Sequence, residues 1–320
     1  GGGWCSGEVW RGRVSRLGVG RVGGGPVGVG LVQALARLGS AVTVLQRGTC
    51  ILPQEEPEAS AQLEALLGGE GIRLLTGAEV TAVRRTDGGK RVVYHTEKGE
   101  SSVETDEVLV TVGRRPSVDG LNLEAAGVAH YGGGVEVDAR LRTSNRRIFA
   151  CGDVCGPYQF THMAEYQAGI VIANTVFRLP RRVDYRVVPW VTYTDPELGR
   201  VGLTEAEARQ RHTNVEVMRF GFDEIDRAIV ERETEGFVKL ITRRGEILGA
   251  TLLGSHAGEL LPELVLAMQS RRKIGALSAT IHPYPTRAQI HRRAVNTYYG
   301  TRLFRPLARR LAKFANLVFP

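Results

Sequence analysis

The chain has 320 residues, of which 42% are hydrophobic and 24% charged, which is typical of a soluble globular protein with two or three domains. Four cysteines are too few for a disulfide-rich secreted scaffold, and no apolar run reaches the roughly 20 residues that span a bilayer. The net charge of +8 equals the eight Arg and Lys residues in 285–320, a stretch without Asp or Glu, so the rest of the chain is neutral.

The front of the chain predicts little regular structure. Residues 1–15 are rich in Gly and Arg, show no period and lack the pattern of a secretory signal, so a cytoplasmic protein is expected. A short strand follows, but Arg and Gly stand where Val and Ile are usual in a buried strand. We therefore expect residues 1–21 to depart from the ancestral sequence, and the chain to be truncated or mis-spliced at its front.

A glycine motif then follows the short strand. Gly23, Gly25 and Gly28 have G-x-G-x-x-G spacing before a helix predicted over 26–38 and a strand over 41–45. The first Gly permits a tight turn, the second lets a pyrophosphate approach the backbone, and the third lets helix and strand pack closely. Within a β-α-β unit this predicts a dinucleotide site, with a plain glycine turn as the alternative.

The end of the next strand bears on the choice of nucleotide. NAD sites usually place an acidic residue there, whereas NADP sites replace it and supply Arg. Gln46 and Arg47 occupy this position, which favours NADP over NAD. The alternative is that Arg47 is only a solvated loop charge.

The remaining elements indicate an α/β domain with an inserted meander and a further domain. Helices are predicted over 58–67 and 164–177, and strands over 72–75, 80–85, 91–94, 102–104, 107–112 and 148–153. The pattern changes after Leu179-Pro180, so a domain boundary is predicted near 180.

Several motifs carry a family resemblance. TSNRRIFACGD, ending at Asp153, resembles the second flavin-binding motif of the pyridine nucleotide-disulfide oxidoreductases. Residues 108–116 are similar to the segment leading out of that family's nicotinamide domain, and 191–208 resemble the start of its dimerisation domain. GEILGATLLGSHAGELL and TIHPYPT resemble that domain's interior and C-terminal motifs. Mercuric reductases and dihydrolipoamide dehydrogenase-like proteins look most similar.

The resemblance implies a fold, cofactors and a partner. It implies an α/β protein with a Rossmann-like nicotinamide-nucleotide domain, the C-terminal part of an FAD domain and an α+β dimerisation domain, and the charge pattern adds a basic tail. These parts span 16–112, 113–180, 181–300 and 301–320. FAD, NADP or NAD, and a second copy of the chain are the implied cofactors and partner.

The resemblance also assigns roles to matched positions. Gly23, Gly25 and Gly28 hold the nucleotide's pyrophosphate, Val80 lies beside its adenine, and Gly113 lies near the nicotinamide half. Asp153, after Gly152, binds the ribityl chain of FAD. The residues implied to line the flavin are Gln159, Phe160, Thr161 and His162.

The chain departs from the family at the redox and proton-transfer positions. The family's N-terminal FAD unit and its Cys-x4-Cys pair do not occur, and a Glu expected near the flavin is Gly30. Cys151 and Cys155 are interpreted as small residues in a packed turn. The alternative for them is a redox pair, or a metal site with His162, although no metal site is predicted.

The C-terminal motif departs as well. Tyr284 and Gln289 stand where disulfide-reducing members carry a proton-shuttling His and the Glu that orients it. Tyr, with a pKa near 10, does not shuttle protons easily at pH 7. His282 is then either a substitute for the missing His or a structural or interface residue.

These observations predict an FAD-dependent NAD(P)H oxidoreductase that passes hydride to flavin and on to a small-molecule or small-thiol acceptor. A catalytically silent fragment that dimerises and binds only nucleotide is the alternative. A dehydrogenase with one cofactor is disfavoured, because the second glycine motif would then have no purpose.

The tail carries Leu303, Leu307, Leu311 and Phe314 at helical spacing. It predicts a helix packed on the dimer or a weak contact with an anionic membrane surface, whereas nucleic-acid binding is not expected.

Overall fold

A computed structural model describes residues 18–303. The described chain forms two compact units, one from parts of 1–112 and 186–320 and the other from Gly113–Tyr185. No helix within 18–303 is long and apolar enough to cross a membrane. The predicted irregular segment 1–15, Cys5 and residues 304–320 of the predicted tail lie outside the described residues.

The first unit begins with a parallel sheet in the order β3-β2-β1-β7. Its elements are β1 (Val19–Val22), α1 (Pro26–Arg37), β2 (Val42–Gln46), α2 (Pro57–Gly69), β3 (Arg73–Thr76) and β7 (Glu107–Val110). The strand that the sequence predicted weakly is central, because β1 pairs with both β2 and β7. A Cβ on Gly20 would lie 3.0 Å from Cγ2 of Thr105. Glycine at this position therefore lets β1 lie close to the segment that contains Thr105.

The predicted antiparallel insertion is present. It consists of β4 (Glu79–Thr86), β5 (Gly89–Thr96) and β6 (Gly99–Thr105), which pair in that order. Val92 and Tyr94 of this meander are buried with Leu45 and Val108 of the parallel sheet. The insertion therefore packs against the sheet through its own small core.

The second unit has little regular structure. It contains β8 (His130–Tyr131), β9 (Gly134–Val135), a 3₁₀ turn (Gly152–Cys155) and α3 (Thr161–Thr175). The strand predicted over 148–153 is wrong, because only an isolated bridge between Arg142 and Phe149 forms there. Gly152 has φ +80° and donates its N–H to the Gln167 side chain at 2.6 Å, so the backbone turns instead of extending.

The rest of the first unit is built on an antiparallel sheet in the order β10-β11-β14-β13-β12. Its strands are β10 (Pro189–Thr192), β11 (Glu197–Gly202), β12 (Glu216–Gly221), β13 (Phe237–Arg243) and β14 (Glu246–Gly254). Its helices are α4 (Glu205–Arg211), α5 (Asp226–Glu231), α6 (Ala257–Gln269), α7 (Ile274–Ala279) and α8 (Gln289–Leu303). Leu261 and Leu264 of α6 and Ile290 of α8 are buried in one core with Leu240 and Leu252 of the sheet.

The parallel and antiparallel parts of the first unit share a second apolar core. Val32 and Leu63, from α1 and α2, are buried with Phe237 and Leu253 of the antiparallel sheet. Their burial removes apolar surface of both parts from water at once. The two parts are therefore packed as one body.

Buried ion pairs also join these two parts. Nζ of Lys239 lies 2.9 Å from carboxylate oxygens of Glu56 and Glu58 and 2.8 Å from one of Glu205. Beside it, Nε of Arg200 donates to Glu55 at 2.8 Å, and both side chains are buried. The residues that precede and open α2 are thus bonded to the middle of the antiparallel sheet.

Candidate functional site

The glycine loop turns sharply at the end of β1. Gly23 has φ +106°, its N–H donates to the Leu45 carbonyl at 3.0 Å, and a Cβ there would lie 2.7 Å from the Thr111 carbonyl oxygen. Only glycine fits both this backbone conformation and this space. The loop is therefore fixed between the ends of β2 and β7.

The second glycine of the motif lies at the N-terminus of α1. Gly25 is the N-cap residue with φ –80°, and a Cβ there would meet no atom within 4 Å. The helix has no side-chain cap and no acidic residue in its first turn. The start of the helix carries backbone amides and the positive end of the helix dipole, which attract a phosphate group. Gly28 is buried one turn later.

Gln46 at the end of β2 bonds to the loop itself. Its Oε1 accepts from the N–H of Gly24 at 2.6 Å, and the Gly24 carbonyl accepts from the N–H of Leu52 at 2.9 Å. This second role of Gln46 escaped the sequence analysis, because its partner lies 22 residues away. Arg47 is exposed beside it.

Val80 lies close to the same edge of the sheet. It is half-buried in β4, pairs with Tyr94 and packs on the core that contains Leu45. The N–H of Ala78 donates to the Gln46 carbonyl at 2.9 Å, which ties the start of the meander to the end of β2. The predicted positions of the loop, Gln46, Arg47 and Val80 therefore lie along one edge.

The second unit brings the predicted flavin positions together. Oδ2 of Asp153, in the 3₁₀ turn, accepts from Nη1 of Arg114 at 2.7 Å, and the Gln159 carbonyl lies 3.5 Å from the same nitrogen. The rings of Phe160 and His162 stack with centroids 5.2 Å apart at 9°. Arg114 lies in the family-like segment 108–116, but no local pattern predicts its bond to Asp153, which is 39 residues away.

Other predicted positions in this unit have structural surroundings. Gly152 packs on α3, where its Cβ would lie 3.2 Å from that of Ala164. Thr161 is the exposed first residue of α3, and Gly113 is an exposed glycine with φ +136°.

The cysteine pair has the environment of a packed turn. Cys151 and Cys155 are free thiols, and Sγ of Cys155 is buried 3.3 Å from the Gly152 carbonyl oxygen. Burial, with a smaller contribution from the neighbouring Cys151, raises the pKa of Cys155 to about 11. Cys155 therefore stays a protonated, poorly nucleophilic thiol at neutral pH. Within 18–303, no group of three or more His, Cys, Asp or Glu is arranged to hold a metal ion.

The C-terminal motif holds His282 in a closed environment. The ring is buried, Nδ1 lies 3.1 Å from the Thr280 carbonyl oxygen, and Nε2 lies 3.0 and 3.1 Å from the Glu263 carboxylate. A ring that carries both protons can donate to both partners. Glu263, 19 residues earlier on α6, escaped the sequence analysis because nothing local marks it. The geometry favours the structural interpretation of His282.

Tyr284 and Gln289 have different surroundings. Tyr284 is exposed, and a hydrogen bond with Asp226 raises the pKa of its phenol. Gln289 is half-buried at the first position of α8 and donates its backbone N–H to the Thr286 carbonyl at 3.4 Å. The phenol of Tyr284 therefore stays protonated at neutral pH.

A second histidine is buried next to His282. Nε2 of His291 is 3.1 Å from the Leu260 carbonyl oxygen, while its Nδ1 has no hydrogen-bond partner among residues 18–303. Burial lowers the pKa of His291 to about 4, with a smaller contribution from His282 in the same direction. His291 is thus a neutral ring at pH 7.

Comparisons with known proteins agree with these features. Residues 10–168 match the family model for pyridine nucleotide-disulphide oxidoreductases, and residues 188–295 match the model for their dimerisation domain. A mercuric reductase of Bacillus cereus is 35% identical over 84% of this chain and 43% of its own length. A dihydrolipoyl dehydrogenase of Geobacillus stearothermophilus is 35% identical over 85% of this chain and 58% of its own.

Solved structures agree as well. The Cu(II) complex of the HOCl-induced flavoprotein disulfide reductase RclA from Escherichia coli has a TM-score of 0.85 and 28% identity, over 92% of this chain and 68% of that one. LpdA from Mycobacterium tuberculosis has a TM-score of 0.82 and 27% identity, over 89% of this chain and 62% of that one. The chain spans about half the length of the curated relatives it matches.

Proposed function

Because the chain belongs to the pyridine nucleotide-disulphide oxidoreductase family, we propose that it acts as an FAD-dependent NAD(P)H oxidoreductase that delivers electrons to a small-molecule or small-thiol acceptor. The glycine loop carries this proposal, since it places the N-terminus of a helix, with its positive dipole end, at the carboxyl edge of a parallel sheet. The proposed domain bounds are those expected from the sequence, namely 16–112, 113–180, 181–300 and 301–320.

The loop residues fit a dinucleotide. A Cβ on Gly25 would meet no atom of the described residues within 4 Å, which favours the close approach of a pyrophosphate, whereas Gly23 has no such space and serves the turn. We assign Gly23, Gly25 and Gly28 to the pyrophosphate, Val80 to the adenine side and Gly113 to the nicotinamide half. Since Gln46 is neutral and Arg47 is an exposed cation at the end of β2, we propose NADP as the preferred nucleotide.

The second unit fits part of a flavin site. Oδ1 of Asp153 has no hydrogen-bond partner within 18–303, so it can accept from a ribityl hydroxyl while Arg114 holds Oδ2. We assign Gly152 and Asp153 to the ribityl side, and Gln159, Phe160, Thr161 and His162 to the flavin's surroundings.

The residues of the chain would bind and orient the cofactors. Bound together, NAD(P)H and FAD supply hydride transfer from the nicotinamide to the flavin. The amides at the start of α1 hold negative charge at one end of the nucleotide, and Arg114 fixes the orientation of the Asp153 carboxylate.

The proposed catalytic positions are Tyr284, His282 and Gln289. Both ring nitrogens of His282 already have partners, which argues against proton shuttling by this residue. The exposed Tyr284 phenol would donate to another acceptor only by giving up its hydrogen bond with Asp226.

A match to the dimerisation model supports a homodimer. Weak membrane contact through the tail stays a prediction, since residues 304–320 lie outside the described part of the chain.

The nucleotide assignment can be tested with two glycine variants. Gly25→Ala adds a methyl group to open space at negative φ, so the fold is retained while the methyl group occupies the proposed phosphate position. Gly69→Ala, at the exposed end of α2, also meets no atom and is the matched control. In a fluorescence titration with NADPH, we expect at least a tenfold loss of affinity for Gly25→Ala only. Equal affinities would refute the assignment.

The flavin and nucleotide preferences need separate measurements. After incubation with FAD and desalting, a visible flavin spectrum that bleaches when NADPH is added without oxygen is the expected result. Arg47→Ser should weaken the binding of NADPH more than that of NADH, because only the former carries the 2′-phosphate.

A silent nucleotide-binding dimer is the second candidate. The buried Cys155 thiol and the closed environment of His282 favour it, since neither offers a ready nucleophile or proton carrier. A protein that binds NADPH but retains no flavin would support this candidate.

A further inference from the structure

The middle glycine of the glycine loop is bonded on both sides. Gly24 donates its N–H to Oε1 of Gln46 at 2.6 Å, and its carbonyl accepts from the N–H of Leu52 at 2.9 Å. One partner ends β2 and the other lies in the segment that follows it, so neither belongs to the loop or to α1. The shape of the glycine loop therefore depends on residues 46–52.

The side chain of Gln46 fills space that two glycines leave open. A Cβ on Gly24 would lie 2.8 Å from Cδ of Gln46, and a Cβ on Gly48 would lie 3.0 Å from its Nε2. The side-chain oxygen faces the Gly24 N–H, because that donor needs an acceptor. The oxygen of Gln46 thus serves the loop, and the side chain is folded back against it.

The second bond to Gly24 comes from a backbone held in an uncommon conformation. Leu52 is buried and has φ +47°, a left-handed value that leucine rarely adopts. Its carbonyl accepts from the N–H of Glu55 at 3.0 Å and from the hydroxyl of Ser60 at 3.1 Å. Such a conformation persists only where the surrounding structure over-determines it, often beside a ligand site. The segment that holds Gly24 is therefore fixed from several sides.

We propose that Gln46 is a positioning residue for the nucleotide site, an inference that rests on the function proposed above. Its side-chain oxygen holds Gly24, so the loop and the first-turn amides of α1 are in place before a pyrophosphate binds. A preorganised loop loses less conformational freedom on binding, which raises the affinity. Because NADH and NADPH share the pyrophosphate, Gln46 supports the binding of both, and the choice between them belongs to Arg47.

Three variants separate this role from a contact with the ribose. Gln46→Met keeps the length of the side chain and removes the acceptor, whereas Gln46→Glu keeps an acceptor at the same position. Gly24→Ala puts a methyl group where the Gln46 side chain lies and so displaces it. Gly24 is not in the left-handed region, so the alanine introduces no backbone strain there.

The test is a fluorescence titration of the full chain with NADH and with NADPH, with thermal melts to verify folding. We expect Gln46→Met and Gly24→Ala each to weaken both nucleotides by about tenfold, and the ratio of the two affinities to stay within about twofold of wild type. Gln46→Glu should bind NADH within about threefold of wild type. Gln210→Met, at an exposed position of α4, is the matched control and should leave both affinities unchanged.

The double variant Gly24→Ala/Gln46→Met tests whether both changes act through the same bond. If they do, the double variant binds no more weakly than either single variant. Should Gln46→Met fail to fold, Gly24→Ala still tests the role, because it displaces the same side chain.

The outcomes distinguish this role from the proposed function. A wild-type chain that binds neither nucleotide would refute the nucleotide site itself. Where wild type binds, four results would overturn the role of Gln46 alone. These are an unchanged affinity in Gln46→Met, a loss confined to NADPH, additive losses in the double variant, and a Gln46→Glu variant as weak toward NADH as Gln46→Met.

Discussion

Replacing Lys239 by Met should destabilise the protein strongly at neutral pH. Burial disfavours the charged amine, but hydrogen bonds to Glu205, Glu56 and Glu58 more than offset this effect, so the pKa of Lys239 is raised. The Met side chain has a similar length and removes all three bonds. One buried carboxylate, that of Glu56, then loses its ion pair.

The magnitude follows from the partners that remain. Glu58 keeps Arg219 at 3.0 Å and Glu205 keeps Arg209 at 2.7 Å, so these two half-exposed carboxylates stay paired. Glu56 is 2% exposed and keeps only the N–H of Glu205 at 2.6 Å. Removing one partner of a buried ion pair typically costs about 3–5 kcal/mol of stability. Because Glu56 keeps one hydrogen bond, we expect Lys239→Met to lower the free energy of unfolding by about 3 kcal/mol.

Urea unfolding followed by circular dichroism measures this loss. Lys98→Met, in an exposed turn of the meander, is the matched control and should change the free energy of unfolding by less than about 0.5 kcal/mol. Adding Glu56→Gln to Lys239→Met should restore part of the loss, because the unpaired charge is then absent. A loss below about 1 kcal/mol, or no rescue in the double variant, would refute the reasoning.

Three further predictions concern single residues. Gly23→Ala should lower the free energy of unfolding by about 2 kcal/mol in urea, since alanine at φ +106° would also approach the Thr111 carbonyl, and an unchanged midpoint would contradict this. Because burial lowers the pKa of His291 from 6.5 to about 4, the unfolded state binds the proton first, and about 3 kcal/mol of stability should be lost as pH falls through that range. His291→Gln should flatten this loss, and equal slopes in pH-dependent unfolding would disprove it. Iodoacetamide labelling followed by mass spectrometry should modify Cys155 only after denaturation, whereas labelling of the native protein would argue against a buried thiol.

The local sequence determined much of the first unit. A Gly-rich turn before a helix and β-branched runs define the β-α-β unit, because turn chemistry and side-chain period act over only a few residues. Turns that contain Gly88, Gly89 and Gly99 likewise predicted the meander, which is confirmed. The family resemblance added the dimerisation domain, which is confirmed by the match over 188–295.

Tertiary structure decided the features that depend on distant partners. Lys239 meets Glu56 across 183 residues, and no local pattern in either segment predicts that pair. The strand expected over 148–153 does not form because the Gly152 amide bonds to Gln167, 15 residues later. Long-range contacts of this kind override local preference, since a buried polar group takes whichever partner the packed fold provides.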